Sequence, residues 1–290
     1  MSRREPPAPP EPLGAPTVDA HTHLDACGCT DAASVAAAMD RATAVGVVGA
    51  VTVADDLASA RWAVQAAQWD ARVVAAVALH PTRTAAVTDE EFAEIERLAG
   101  DPRVVAVGET GLDYYWDYSP PQAQQESFRW HIDLAKRLGK PLMIHDRDAH
   151  EDVLRILREE GAPERVVFHC FSGDAAMARE CAAAGYTLSF AGPVTFRNAK
   201  DLQEAATVPP DDLLLVETDA PFLTPHPNRG RANEPFCLPW TLRGLAELRG
   251  TPEDSLAATI LRNAQRIFGT GLWPSGADVT SAGGSAPRSA

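Results

Sequence analysis

Short apolar runs recur along the chain at Val18–Ala20, Val47–Val53, Val73–Leu79, Val104–Val107, Leu142–Ile144, Val166–Phe168, Thr187–Phe190 and Leu213–Val216. Between them lie segments rich in good helix formers, with apolar residues returning every three or four positions. These are Ala32–Val45, Leu57–Trp69, Glu90–Leu98, Gln122–Leu138 and Asp152–Arg158. The second spacing gathers apolar side chains on one face of a helix. The first, nearly continuous, suits strands covered on both faces, as in a parallel sheet flanked by helices. Eight such strands alternating with helices predict an α/β fold, a TIM-like (β/α)8 barrel. A doubly wound open sheet is the alternative built from the same alternation. Trp240–Arg249 and Pro252–Phe268 supply the helices that finish an outer ring, with Gly250 as the stop between them.

The ends read differently. Residues 1–16 are rich in proline and lack apolar periodicity, which predicts a flexible arm. Residues 273–290 are mostly Ser, Ala and Gly and read as a disordered tail, leaving 17–272 as one barrel domain. No apolar run approaches the roughly 20 residues that cross a bilayer, so no membrane span is expected. The opening MSRREPPAPPEPLGAP also lacks the apolar stretch of a secretory leader. The five cysteines are odd in number and scattered, a pattern of reduced thiols in a cytoplasmic protein. A net charge of -14 argues against the broad basic face with which nonspecific duplex binders displace counterions. A phosphate-bearing substrate would have to be gripped locally, by a few arginines or by metal ions.

The candidate chemistry follows the apolar runs. After the first comes His21-Thr22-His23-Leu24-Asp25, after the third His80 and after the fourth Glu109. The fifth ends in His145, the sixth in His169 and the eighth in Glu217-Thr218-Asp219. In a parallel barrel these positions share the C-terminal rim, where active sites lie. Side chains two apart on a strand point the same way, so His21 and His23 can hold one ion together. Imidazoles and carboxylates crowded in this way are costly without a cation among them. The set suggests two divalent ions: His21, His23 and Asp219 at one, His145 and His169 at the other, and Glu109 bridging both. A carbamylated lysine cannot serve as the bridge, because Lys136 and Lys140 precede strand five and Lys200 lies in a helix. Imidazole favours Zn, while the carboxylates accept Mg or Mn, so the metal stays open.

The motifs HTHLD at 21–25, GETGLDYY at 108–115, PLMIHDRDA at 141–149, FHCFSG at 168–173 and VETDAPFL at 216–223 resemble the TatD family of metal-dependent deoxyribonucleases. NEP at 233–235 and NAQRIFG at 263–269 fit it as well, so the resemblance runs from about Val18 to Gly269. It implies a TIM-like barrel that hydrolyses DNA phosphodiesters with divalent metal, often from 3′ to 5′. The family's ligands fall on His21, His23, Glu109, His145, His169 and Asp219. The chain departs from the family's pattern in two places. After strand three it has Leu79-His80-Pro81-Thr82, without a second His, and before NEP it has Arg229-Gly230-Arg231-Ala232 in place of consecutive basic residues.

The expected chemistry is in-line attack on phosphorus by a metal-activated water. Asp219 would take the water's proton, Glu109 hold the metals and Arg147 stabilise the phosphoryl charge. His80, Arg147, Arg229 and Arg231 are the candidate substrate contacts. Glu217 and Asp113 are the candidates for holding the ligand histidines in place. Tyr114, Tyr115 and Trp116 follow strand four and can either stack on bases or pack under a loop. Cys170 is expected in the barrel wall, and His131, His150 and His226 in solvent. Cys27 and Cys29 are not needed as ligands. The expected partner is DNA, as single strands or chain ends, with no membrane and no protein partner evident. The alternative is a dinuclear hydrolase of small-molecule or aminoacyl esters on the same barrel.

Overall fold

The computed structural model describes residues 5–269 and 271–273. Eight parallel strands pair in chain order. They are β1 (Thr17–Thr22), β2 (Val47–Val53), β3 (Val73–Val77), β4 (Val104–Asp113), β5 (Leu142–Arg147), β6 (Val166–Phe168), β7 (Thr187–Phe190) and β8 (Leu214–Val216). A parallel bridge between Thr22 and Ala220 joins β1 to the segment leaving β8 and closes the barrel at its C-terminal end. The open-sheet alternative is thereby excluded. Nearly every strand residue is buried, as the continuous apolar runs require.

Helices α1 (Ala32–Thr43), α2 (Leu57–Trp69), α3 (Asp89–Ala99), α4 (Pro121–Leu138), α5 (His150–Glu160), α6 (Ala175–Ala183), α7 (Lys200–Ala205), α8 (Leu238–Arg249) and α9 (Glu253–Phe268) form the outer layer. Local chemistry fixes where several begin. Asp31, Asp56 and Thr88 each cap a helix and exchange hydrogen bonds with Ser34, Ser59 and Glu91 three residues on. Gly250 ends α8 in the left-handed conformation, as expected.

Strands β4 and β5 run well past their apolar cores. The expected ends were Val107 and Ile144, yet pairing continues through Thr110–Ile144 to Asp113–Arg147. The polar extension GETGLD stays buried, because Glu109 and Asp113 find histidine partners at the barrel mouth while Leu112 joins the apolar core.

Both ends of the chain correct the sequence reading. From residue 5 onward the proline-rich arm lies against the barrel. Leu13 is buried and its N–H donates to the Val45 carbonyl, while Arg243 donates to the carbonyls of Glu11 and Pro12. Farther out, the Ala232 N–H donates to Glu5 and the Arg231 guanidinium reaches the Pro6 carbonyl. Backbone carbonyls of the arm, together with the Leu13 N–H, supply these attachments in place of a regular element. Trp273, expected in the tail, is buried, and its indole N–H donates to the Arg72 carbonyl. Gly49 of β2 makes room for it, since a Cβ there would stand 1.9 Å from the indole nitrogen. The remainder of the expected tail, 274–290, and residues 1–4 lie outside the described residues.

His131 is a further correction, being fully buried on α4 rather than solvated. Its Nδ1–H donates to the Ser127 carbonyl at 2.8 Å, and its Nε2 accepts from the Leu79 N–H at 3.2 Å. The ring is therefore neutral, and burial lowers its pKa to about 4. The unfolded chain binds a proton near pH 6.5 that the native ring refuses. The bond to Leu79 thus contributes fully above that pH and is lost as pH falls toward 4. We expect the stability gap between wild type and His131→Gln to narrow by about 3 kcal/mol from pH 7 to pH 4. Urea unfolding at both pH values checks this, and a gap independent of pH overturns it.

Candidate metal centre

Closure of the barrel assembles the site. The Asp219 N–H donates to the His21 carbonyl at 3.0 Å and the His23 N–H to the Ala220 carbonyl at 2.7 Å, which stitches the two histidines to the β8 exit. Asp219 sits in the left-handed region, with φ 51°. It is held there through Thr218, whose N–H and hydroxyl both bond the buried carboxyl of Asp19. Asn233 secures the same turn from outside, donating to the carbonyls of Thr218 and Phe222. Burial pushes the Asp19 carboxyl up to about 8, against the hydrogen bonds from Thr218.

Glu109 stands at the centre, on the β4 extension. Its Oε1 lies 2.7 Å from His145 Nδ1 and 2.8 Å from His169 Nε2. Its Oε2 lies 3.3 Å from His21 Nε2 and 3.7 Å from His23 Nε2. One carboxylate thus turns a different oxygen to each pair of histidines. Asp219 Oδ1 completes the first group, 3.8 Å from His21 Nε2 and 3.5 Å from His23 Nε2. Glycines make this approach possible. A Cβ at Gly108 would stand 2.5 Å from Met143 Cβ, and one at Gly111 would stand 2.0 Å from the His145 carbonyl oxygen.

The outward ring nitrogens test whether cations fit. His23 Nδ1 faces the Val53 carbonyl at 3.0 Å and His21 Nδ1 the Met143 sulfur at 3.1 Å. His145 Nε2 faces Asp113 Oδ2 at 2.9 Å, and His169 Nδ1 faces Glu217 Oε1 at 3.1 Å. Each of these partners accepts a hydrogen bond, so each ring can carry an N–H outward and leave its inward nitrogen for a cation. This is the arrangement that orients metal-bound histidines. Four rings of this kind converge with Asp219 and a shared carboxylate, and the residues present fit divalent metal. Groups able to hold an ion include His21, His23 and Asp219 together.

His80 behaves otherwise. Its Nδ1 accepts from the Thr82 N–H at 3.1 Å, so the proton is on Nε2, which points to Glu109 Oε1 at 3.5 Å. It offers the cavity a donor rather than a lone pair.

Proton affinities follow the crowding. Burial holds the His21 pKa down to about 3. Burial works against charge on His23 too, but Asp219, Asp55 and Glu109 outweigh it and raise the pKa to about 10. For His169, Glu109 and Glu217 likewise overcome burial and raise the pKa. Burial opposes the ionised Glu109, yet the surrounding imidazoles hold its carboxyl well below the usual range. The mouth is a well of negative potential, and protons fill it where cations are wanting.

A cavity of about 570 Å³ opens above these groups. Arg147 lines it, with its guanidinium 3.8 Å over the Tyr115 ring. Arg229 and Arg231 do not line it. The former lies over Phe196 at 4.5 Å and the latter turns toward the N-terminal arm. Cys170, expected in the wall, lines the cavity instead, its N–H donating to Glu217 at 2.7 Å. His150, expected in solvent, pairs with Asp146 at 2.7 Å, whereas His226 is exposed. Cys27 lies away from the cluster, its thiol directed at the Asn233 carbonyl. The sequence reading passed over Asp55, which follows β2 on the same rim and lies 3.6 Å from His23 Nδ1. Its place two residues beyond the apolar run was the available signal.

Comparison with known proteins agrees with this geometry. A family model described as TatD related DNase matches residues 18–269. Over 259 residues the chain is 60% identical to the uncharacterized metal-dependent hydrolase TatD of Mycobacterium tuberculosis, covering 88% of this chain and 98% of that protein. It is 38% identical to the 3′-5′ ssDNA/RNA exonuclease TatD of Erwinia amylovora over 66% of this chain and 76% of that one. Among solved structures it is similar to YjjV, a TatD homolog from Escherichia coli, with a TM-score of 0.81 and 28% identity, covering 87% and 97% of the two chains. The chain belongs to the TatD family of metal-dependent hydrolases.

Proposed function

We propose that this chain hydrolyses phosphodiester bonds at the 3′ end of single-stranded DNA. The observation that carries the reading is the Glu109 carboxylate, which turns one oxygen to His21 and His23 and the other to His145 and His169. His21, His23 and Asp219 would hold one divalent ion, His145 and His169 a second, and Glu109 both. Mg, Mn and Zn are the candidates. Such a pair supplies a water acidic enough to attack near neutral pH and positive charge facing the phosphoryl oxygens.

The protein's own groups do the rest. Asp219, at the cavity edge, accepts the proton of the attacking water. His80 donates its Nε2–H to a phosphoryl oxygen, and Arg147 brings a charge to the same wall. Asp113 and Glu217 hold the rings of His145 and His169 by their outward nitrogens. The name of the Erwinia relative supports a single-stranded substrate. Among the described residues no helix is long and apolar enough to cross a membrane. Cys27, Cys170, Cys181 and Cys237 are free thiols, which supports a cytoplasmic setting.

The protein is stripped with chelator, restored with Mg, Mn or Zn, and assayed on end-labelled single-stranded DNA beside small-molecule and aminoacyl esters. Mononucleotide release is expected, falling about a thousandfold or more in Glu109→Ala. Ester turnover with intact DNA would overturn the assignment in favour of an esterase.

Metal loading gives a second measurement. Histidines that hold protons in the stripped mouth must give them up to a cation. Titrating Zn into stripped protein in buffers of different ionisation enthalpy should show net proton release near pH 7. Calorimetry that finds none would contradict the assigned ligands.

A further inference from the structure

The loop leaving β4 shows large aromatic rings to solvent. Tyr115, Trp116 and Tyr118 are 54%, 42% and 63% exposed, although apolar surface of this size is normally covered. The loop holding them is firmly fixed. Asp113 Oδ1 accepts the N–H groups of Tyr115 and Trp116 at 3.0 Å each. Gln124 bonds both the N–H and the carbonyl of Asp113, and also the Ser119 carbonyl. Tyr114 is the ring that packs, its hydroxyl bonded to Asp152. The rings of Trp116 and Tyr118 lie parallel within 7°, their centroids 5.4 Å apart. Phe222 and Leu223 stand exposed in the turn beyond β8 and line the same cavity as Trp116 and Arg147.

The charge distribution says what meets these rings. On the outer helices many arginines are tied to carboxylates, as Arg137 is to Asp133 and Arg155 to Glu159, while Arg179, Arg262 and Arg266 are not. Arg83, which follows β3, and Arg147, which ends β5, both line the cavity and have no carboxylate partner among the described residues. In a chain of net charge -14, free cations around the mouth mark the place for a polyanion. Flat rings beside free guanidinium groups suit a strand that carries both phosphates and unpaired bases. A duplex keeps its base faces stacked on one another and has none to offer the ledge.

We infer that Trp116 and Tyr118, with Tyr115 and Arg147 beside them, form a ledge on which an unpaired nucleobase of the substrate strand stacks. The inference rests on the nuclease reading above and deepens it. Asp113 couples the ledge to the reaction centre, because its Oδ1 fixes the aromatic loop while its Oδ2 holds His145. The stacked base and the bond to be cut therefore keep a set spacing. The ledge selects strands by the presence of a base at one register and is indifferent to which hydrogen-bonding edge that base carries.

The test uses metal-loaded enzyme and short DNA strands in which one abasic site is stepped inward from the 3′ end. KM should rise roughly tenfold when the abasic site falls at the ledge register, and much less at its neighbours. Trp116→Ala and Tyr118→Ala should raise KM similarly on the intact strand, with a smaller change in kcat, and abolish the penalty for the missing base. Trp116→Tyr should restore it. In parallel, 2-aminopurine placed at that register in a hydrolysis-resistant phosphorothioate strand should be quenched by wild type and not by Trp116→Ala. Cleavage that ignores the abasic position, without quenching, overturns the ledge and leaves the nuclease intact. Quenching with no cleavage of any strand overturns the nuclease and supports the ledge as a binding feature. Absence of both overturns the two together.

Discussion

The seam that closes the barrel is the constraint on which the rest depends. An open sheet would leave β1 and β8 at opposite edges, with their polar ends far apart. Pairing of Thr22 with Ala220, and the reciprocal bonds of His21 and His23 with the Asp219–Ala220 backbone, bring the two ends of the domain together. Backbone hydrogen bonding alone therefore sets His21, His23 and Asp219 side by side. Glu109 is then carried into their midst by a β4 that stays in register with β5 to Asp113, and two glycines let the backbones approach.

Such a mouth is expensive to fold. Several carboxylates and imidazoles are taken from water into a space where each raises the cost of the next. The structure offsets this with pairings that satisfy the outward ring nitrogens of His23, His145 and His169. Asp19 and Glu217, buried behind the ligand candidates, act on them through the backbone of Thr218 and Cys170 as well as through side chains. Rigidity at the mouth thus comes from polar bonds, and the apolar strand cores below supply the platform.

Much of this was legible in the chain. The alternation of apolar runs and helical segments gave strand order and class, and the residues just beyond each run gave the rim. What escaped were features that depend on partners distant in sequence. The β4 extension GETGLD is too polar to look like a strand, yet pairing with β5 makes it one. His131 carries no sequence sign of burial, because its acceptor role exists only once Leu79 arrives from β3. Trp273 resembles the tail around it, and only the gap left by Gly49 shows where it belongs. Arg229 and Arg231 were legible as charges but not as directions, and they point to Phe196 and to the N-terminal arm.

That arm has a practical bearing. The stretch from Glu5 to Leu13 fastens at one end near the foot of β2 and at the other to Ala232, the neighbour of Asn233, which braces the Asp219 turn. Purification tags or proteolytic trimming at this end are consequently not innocent choices. They pull on a guy-rope whose far peg stands beside the candidate metal centre, and preparations differing only in their first dozen residues need not behave alike.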